Sequence, residues 1–119
     1  MARHNLNGKQ GERLAAKYLQ QNGYVILNVN WRYSHYEIDI IATKGDVLHF
    51  IEVKTRHTNT FGHPEESVTK KKFKSLMNGA EEFLFQYPQW KKVQYDVLSI
   101  TSLKDQPVEF FLIEDVYLG

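Results

Sequence analysis

"EIDIIATKGDVLHFIEVKTR", residues 37–56, decides the fold. Two apolar runs flank Gly45-Asp46, a pair that suits a two-residue hairpin loop with glycine first, as a type II′ turn prefers. That loop pairs Lys44 with Val47. Counting outward then pairs Ile41 with Phe50, Asp39 with Glu52, and Glu37 with Lys54. Side chains alternate along a strand, so the last three pairs share one face. Near the turn this face carries Ile41, Leu48 and Phe50. Farther along it carries Glu37, Asp39, Glu52 and Lys54. The opposite face, with Ile38, Ile40, Ala42, Ile51 and Val53, is apolar. Both faces therefore read as covered, and the charged end of one reads as a polar pocket cut into a core.

Two carboxylates directly across a strand pair repel each other, and burial sharpens the repulsion. Lys54 offsets part of it. A divalent cation, Mg²⁺ or Mn²⁺, would offset the rest, because such hard cations take carboxylate, carbonyl and water oxygens. The backbone carbonyl of Val53 lies next to both groups and is a further candidate ligand. The plain alternative is a pair of surface ion pairs, Glu52–Lys54 and Glu37–Lys54, of a kind that contributes about 0–1 kcal/mol. Apolar residues on both faces count against it, since an exposed face alternates more cleanly.

Outward from this hairpin the chain reads as α/β. Leu14, Ala15, Tyr18 and Leu19 form the stripe of a helix from about Gly8 to Asn22, stopped by Gly23. Residues 24–33, rich in β-branched and aromatic side chains, read as a strand before the hairpin strands 36–43 and 47–56. Residues 57–67 are a loop by composition. Thr69 caps a second helix that runs to about Tyr87, before Pro88. Strands at 92–100 and 108–115 complete the order α-β-β-β-α-β-β. This predicts one domain, residues 1–119, with a mixed sheet of about five strands and a helix on each face. There is no cysteine, hence no disulfide framework and no thiolate metal site. No run approaches the apolar length of a membrane span, and the N-terminus lacks the apolar segment of a secretory signal. Both point to the cytoplasm.

An acid in one strand, then Glu52-Val53-Lys54 in the next, with a helix following, resembles the PD-(D/E)XK nuclease superfamily. The ordered set "GKQGERLAAKYLQQNGYVILNVNWR" (8–32), "EIDIIA" (37–42), "FIEVKTR" (50–56) and "FGHPEESVTKKK" (61–72) resembles more specifically the YraN-like family of small bacterial proteins. That family is in turn similar to archaeal Holliday-junction resolvases. The resemblance implies a restriction-endonuclease-like fold, with Asp39 and Glu52 as metal-binding carboxylates. It implies that Lys54 positions or activates the attacking water and stabilises developing charge. Glu12 matches a first-helix glutamate that can join the metal site, and it lies at the rim of the helix's apolar stripe. Glu37 takes second place as a ligand. Tyr36 stands where the family usually has glycine, which implies narrower access to the pocket.

The phosphate-contact candidates are Arg32, Arg56, Lys70, Lys71, Lys72 and Lys74. Lys70, Lys71 and Lys72 fall in the first turn of the second helix, where backbone N–H groups also favour anions. Trp31, Tyr33 and Phe61 are candidates for base stacking, though such aromatics more often serve a core or an interface. The five histidines show no metal-type helical spacing. Asp96, among apolar residues, reads as ending in a buried hydrogen bond. The sequence thus predicts a metal-dependent endonuclease hydrolysing DNA phosphodiester bonds, on branched or damaged DNA. A non-catalytic nucleic-acid-binding module on the same fold is the alternative, and a protein-interaction adaptor is a third reading. The net charge of +1 neither demands nor excludes nucleic acid, and a homodimer is left open.

Overall fold

Asn7 starts the first helix with a reciprocal cap. Its side chain accepts from the Gln10 N–H at 2.8 Å, and the Gln10 side chain accepts from the Asn7 N–H at 2.9 Å. Two of the four N–H groups that a helix start leaves unpaired are thereby satisfied. The computed structural model describes residues 7–57 and 69–116. Helix α1 (Gly8–Gln21) ends at Gly23, whose φ of 92° turns the chain into β1 (Val25–Tyr33). Strands β2 (Tyr36–Lys44) and β3 (Val47–Arg56) form the hairpin. Helix α2 (Lys70–Gln86) is capped by the Thr69 hydroxyl, which accepts from the Lys72 N–H at 3.1 Å. Strands β4 (Lys92–Thr101) and β5 (Glu109–Ile113) follow. The expected order of elements is the order found. The expected loop falls, apart from its first residue, outside the described residues, as does Phe61.

The five strands form one mixed sheet in the order β1-β2-β3-β4-β5. Its pairs are antiparallel except β3–β4, which are parallel and joined through α2. Parallel neighbours need such a crossover, and the crossover puts its helix on one face. There Phe73, Leu76, Ala80 and Phe83 pack on Ile41, Leu48, Phe50 and Val97. On the other face Ala15 and Leu19 of α1 pack on Ile40, Ala42, Ile51, Leu98 and Ile100. Among the described residues no helix is long and apolar enough to cross a membrane.

The hairpin turns at Gly45 with a φ of 63°, and Lys44 pairs with Val47, as expected from Gly45-Asp46. Two expectations need correction. The β2–β3 ladder ends at Ile40↔Ile51, so Asp39↔Glu52 and Glu37↔Lys54 are not ladder pairs. Ile38 also packs with the α2-side cluster rather than beside Ile40. An irregularity in the neighbouring strand lies at the same level. Asn30 stands across from Asp39, between the pairs Val29↔Ile40 and Trp31↔Ile38, and takes a left-handed φ of 58°. The strand alternation slips there, and β2 parts from β3 beyond Ile40. The gap between these two strands is where the acidic side chains gather.

Candidate metal centre

Asp39 sits at the point where the strands part. Its Oδ2 accepts from the Val53 N–H at 2.8 Å, so a side chain takes the place of a ladder bond. Within a strand the N–H and C=O of one residue leave from the same edge, so the Val53 carbonyl also faces this gap. Glu37 reaches the gap from the start of β2, and Glu12 reaches it from α1. Ligand-capable oxygens of Glu12, Glu37 and Asp39 all lie within 4.8 Å of one another. Gly11 makes the approach of Glu12 possible. A Cβ there would lie 2.5 Å from the Thr55 Cγ2, so glycine lets the start of α1 rest directly on β3.

Glu52, with only 7% of its side chain exposed, approaches from β3. Lys72 from the first turn of α2 lies 3.1 Å from its Oε2, and Lys54 lies 3.9 Å away. Asp39, Glu52, Glu37 and Lys72 line a cavity of about 170 Å³, together with His35, Ser75 and Leu76. Glu37 also pairs with Arg32 at 3.3 Å.

Charge is strained in this gap. Burial pushes the Asp39 carboxyl up to about 7, repulsion from Glu52 adds to it, and the Val53 N–H only partly counters. Glu12 is also raised, by burial and then by Glu37, with Arg32 opposing. Lys54 is lowered by burial and by Lys72. Burial opposes the charge of Lys72 too, but Glu52 outweighs it and raises Lys72. Carboxylates drawn together at this cost form a cluster of hard oxygen donors. The carboxylate oxygens of Glu12, Glu37 and Asp39 fit Mg²⁺ or Mn²⁺, and the chain has no cysteine to favour a thiophilic metal.

The sequence-predicted residues fall into three places. Glu12, Asp39, Glu52 and Lys54 gather around the gap, and Glu37, held in second place, belongs to the tightest acidic group. Lys72 lines the cavity, whereas Lys70, Lys71 and Lys74 are exposed along the start of α2. Arg32 is tied to Glu37, and Arg56 lies at the end of β3. Trp31 meets Phe83 edge to face at 5.6 Å and so serves the core side, while Tyr33 remains half exposed. Tyr36 packs toward α2, where a Cβ on Gly79 would lie 3.2 Å from its own Cβ. His35, beside it, lines the cavity; a lone exposed histidine gave no signal in the sequence. Asp96 ends in buried hydrogen bonds, as expected. It meets His49 at 2.6 Å on one oxygen and accepts from the Asp115 N–H and the Gln94 amide on the other.

The comparisons with known proteins agree with this architecture. A model of the uncharacterised protein family UPF0102 matches residues 11–100. A UPF0102 protein of Bacteroides thetaiotaomicron is 39% identical over 100 residues, covering 84% of this chain and 83% of that protein. Another, from Chlorobaculum parvum, is 44% identical over 110 residues, covering 90% and 85%. Among solved structures, Hjc, a Holliday junction resolvase of Archaeoglobus fulgidus, matches with a TM-score of 0.51 and 20% identity, over 87% of this chain and 74% of that one. That likeness shows a shared fold.

Proposed function

We infer that this chain, which belongs to the uncharacterised protein family UPF0102, is a divalent-metal-dependent endonuclease that hydrolyses DNA phosphodiester bonds. The observation that carries this reading is the convergence of Glu12, Glu37 and Asp39 within 4.8 Å, beside the buried Glu52 and the lysine of a Glu-x-Lys strand. The fold shared with a junction resolvase supports it and directs the choice of substrate toward branched DNA. The cytoplasm, where bacterial DNA lies, is the compartment this activity calls for.

Asp39, Glu12, Glu37, Glu52 and the Val53 carbonyl would hold Mg²⁺ or Mn²⁺. Such an ion, when bound, polarises the phosphate and lowers the pKa of a bound water. The protein's own part is positioning and charge. Asp39 is fixed by the Val53 N–H, so its free oxygen needs no reorganisation to serve as a ligand. Lys54 stands two residues beyond Glu52, with 24% of its side chain exposed. Its ammonium orients the attacking water and stabilises charge that builds on the phosphate oxygens. Burial lowers its pKa, which eases proton exchange with that water. Lys70, Lys71 and Lys74 on α2, with Arg32 and Arg56, would track the phosphates on either side of the cut. A four-way junction offers two strands for cutting, and a homodimer would bring one site to each.

The test is a panel of linear duplex, single strand, flap and four-way junction, with wild type and Lys54→Ala, in Mg²⁺, Mn²⁺ and EDTA. Cleavage by wild type in metal, lost in EDTA and in Lys54→Ala, is the expected outcome. Equal cleavage by both proteins would point to a contaminant. Metal-independent binding without cleavage of any substrate would refute the enzyme and leave a binding module.

A further inference from the structure

The first turn of α2 is built against its own electrostatics. Lys70, Lys71 and Lys72 follow the Thr69 cap, and no acidic residue lies in that turn. A helix N-terminus carries partial positive charge, so each cation there is unfavourable. Lys70 and Lys71 are exposed and shed this cost into solvent. Lys72 instead turns into the cavity and sits 3.1 Å from Glu52, closer than the 3.9 Å of Lys54 on the same strand as Glu52. The two lysines differ in how they are held. Lys54 is 24% exposed in its side chain, whereas Lys72 is 49% exposed and borders solvent. A buried carboxylate therefore has a close cationic partner that comes from another element and reaches solvent.

We propose that Lys72 is a resident counter-ion of Glu52 that competes with the divalent cation and sets the metal affinity of the site. This rests on the reading of Glu52 as a metal ligand. With Lys72 engaged, Glu52 is neutralised and the site is closed to metal at low concentration. A cation that binds displaces the ammonium outward, past Ser75, along the groove that Thr69, Lys71, Lys72 and Ser75 line. Lys54, held deeper, stays. The two lysines divide the work: one guards the ligand, the other keeps its place beside the phosphate.

The experiment measures Mn²⁺ binding without DNA, by the electron-spin signal of the free ion, for wild type, Lys72→Gln, Lys72→Arg, Lys71→Gln and Asp39→Asn. Lys72→Gln should bind Mn²⁺ on the order of tenfold more tightly, since it removes one close positive charge from the ligand. Lys72→Arg, which keeps the charge, should stay near wild type. Lys71→Gln should change little, which separates a local competitor from the general field of the helix. Unchanged or weaker binding by Lys72→Gln, with binding lost in Asp39→Asn, would overturn the competitor and leave the metal centre standing. Equal binding by wild type and Asp39→Asn would overturn the metal centre itself. A titration of the unaltered protein keeps the test independent of the variants' folding. Mg²⁺ should shift the ¹³Cε resonance of Lys72 in step with the Glu52 carboxylate and leave that of Lys70 in place. A Lys72 signal that ignores Mg²⁺ while the carboxylates respond would also refute the proposal.

Discussion

Asp39→Asn should make the metal-free protein more stable while destroying its metal site. The folded carboxyl has its pKa raised from 3.8 to about 7 by burial and by Glu52. A folded value above the unfolded one means that the folded chain holds its proton longer. Stability from this group is fully present below about pH 4, falls as pH rises through about 7, and then levels off. At about 1.4 kcal/mol per pH unit, the ionised carboxyl costs the metal-free fold about 4 kcal/mol at pH 8, as an upper bound, and about 1.5 kcal/mol at pH 5. Asparagine removes the titration and keeps an oxygen to accept from the Val53 N–H. In EDTA the variant should therefore melt higher than wild type at pH 8, by on the order of 10 °C. The gap should shrink markedly at pH 5. Saturating Mn²⁺ should close or invert it, since only wild type then gains binding energy. Chemical or thermal unfolding of both proteins in EDTA at the two pH values decides the matter. A gap independent of pH, or a variant less stable than wild type at pH 8, would refute the account of a charge confined without its cation.

Three further outcomes follow from the same geometry. Metal binding should release close to one proton per chain near pH 6, as Asp39 gives up its hydrogen, and little above about pH 8; calorimetry in two buffers of different ionisation enthalpy reads this directly. Gly11→Ala drives a Cβ to 2.5 Å from the Thr55 Cγ2 and should cost about 1–3 kcal/mol while weakening Mn²⁺ binding through Glu12. Thr55→Ser in the same chain deletes that methyl and should restore much of both, as urea melts and Mn²⁺ titrations would show. Asp96→Ala strands the buried His49 and the Asp115 N–H and should cost about 3 kcal/mol or more in unfolding experiments, with metal affinity unchanged in whatever fraction remains folded.

What the sequence disclosed follows from how local each feature is. The turn at Gly45-Asp46, the stop at Gly23 and the Thr69 cap depend on residues a few positions apart, and each stands where the sequence puts it. The acids that gather in the gap also stood out in the sequence, because carboxylates within otherwise apolar strands call for an explanation. The slip at Asn30 was not. An asparagine in "NVNWR" looks like any strand residue until its backbone turns left-handed, and across from it the alternation of β2 slips and β2 parts from β3. Strict alternation consequently paired Glu37 with Lys54, although its carboxylate gathers with Glu12 and Asp39. Lys72 was read as a phosphate contact because its distance from Glu52 depends on how α2 docks, which no spacing along the chain encodes.

Among the described residues the two hydrophobic layers have no buried residue in common: one is built around α2 and the other around α1, with the sheet between them. The parting of β2 and β3 is a place where polar side chains from both layers meet, Glu12 arriving from one and Lys72 from the other. If the proposed ion lodges there, it would act as a rivet through the sheet. It would fasten the first helix to a strand gap whose far side is governed by the second, so loosening either layer would loosen the grip on the ion. Local opening of α1, which begins at an exposed cap, and entry of metal then become the same event seen from two sides. Amide protection in both helices should rise together when the rivet is in place.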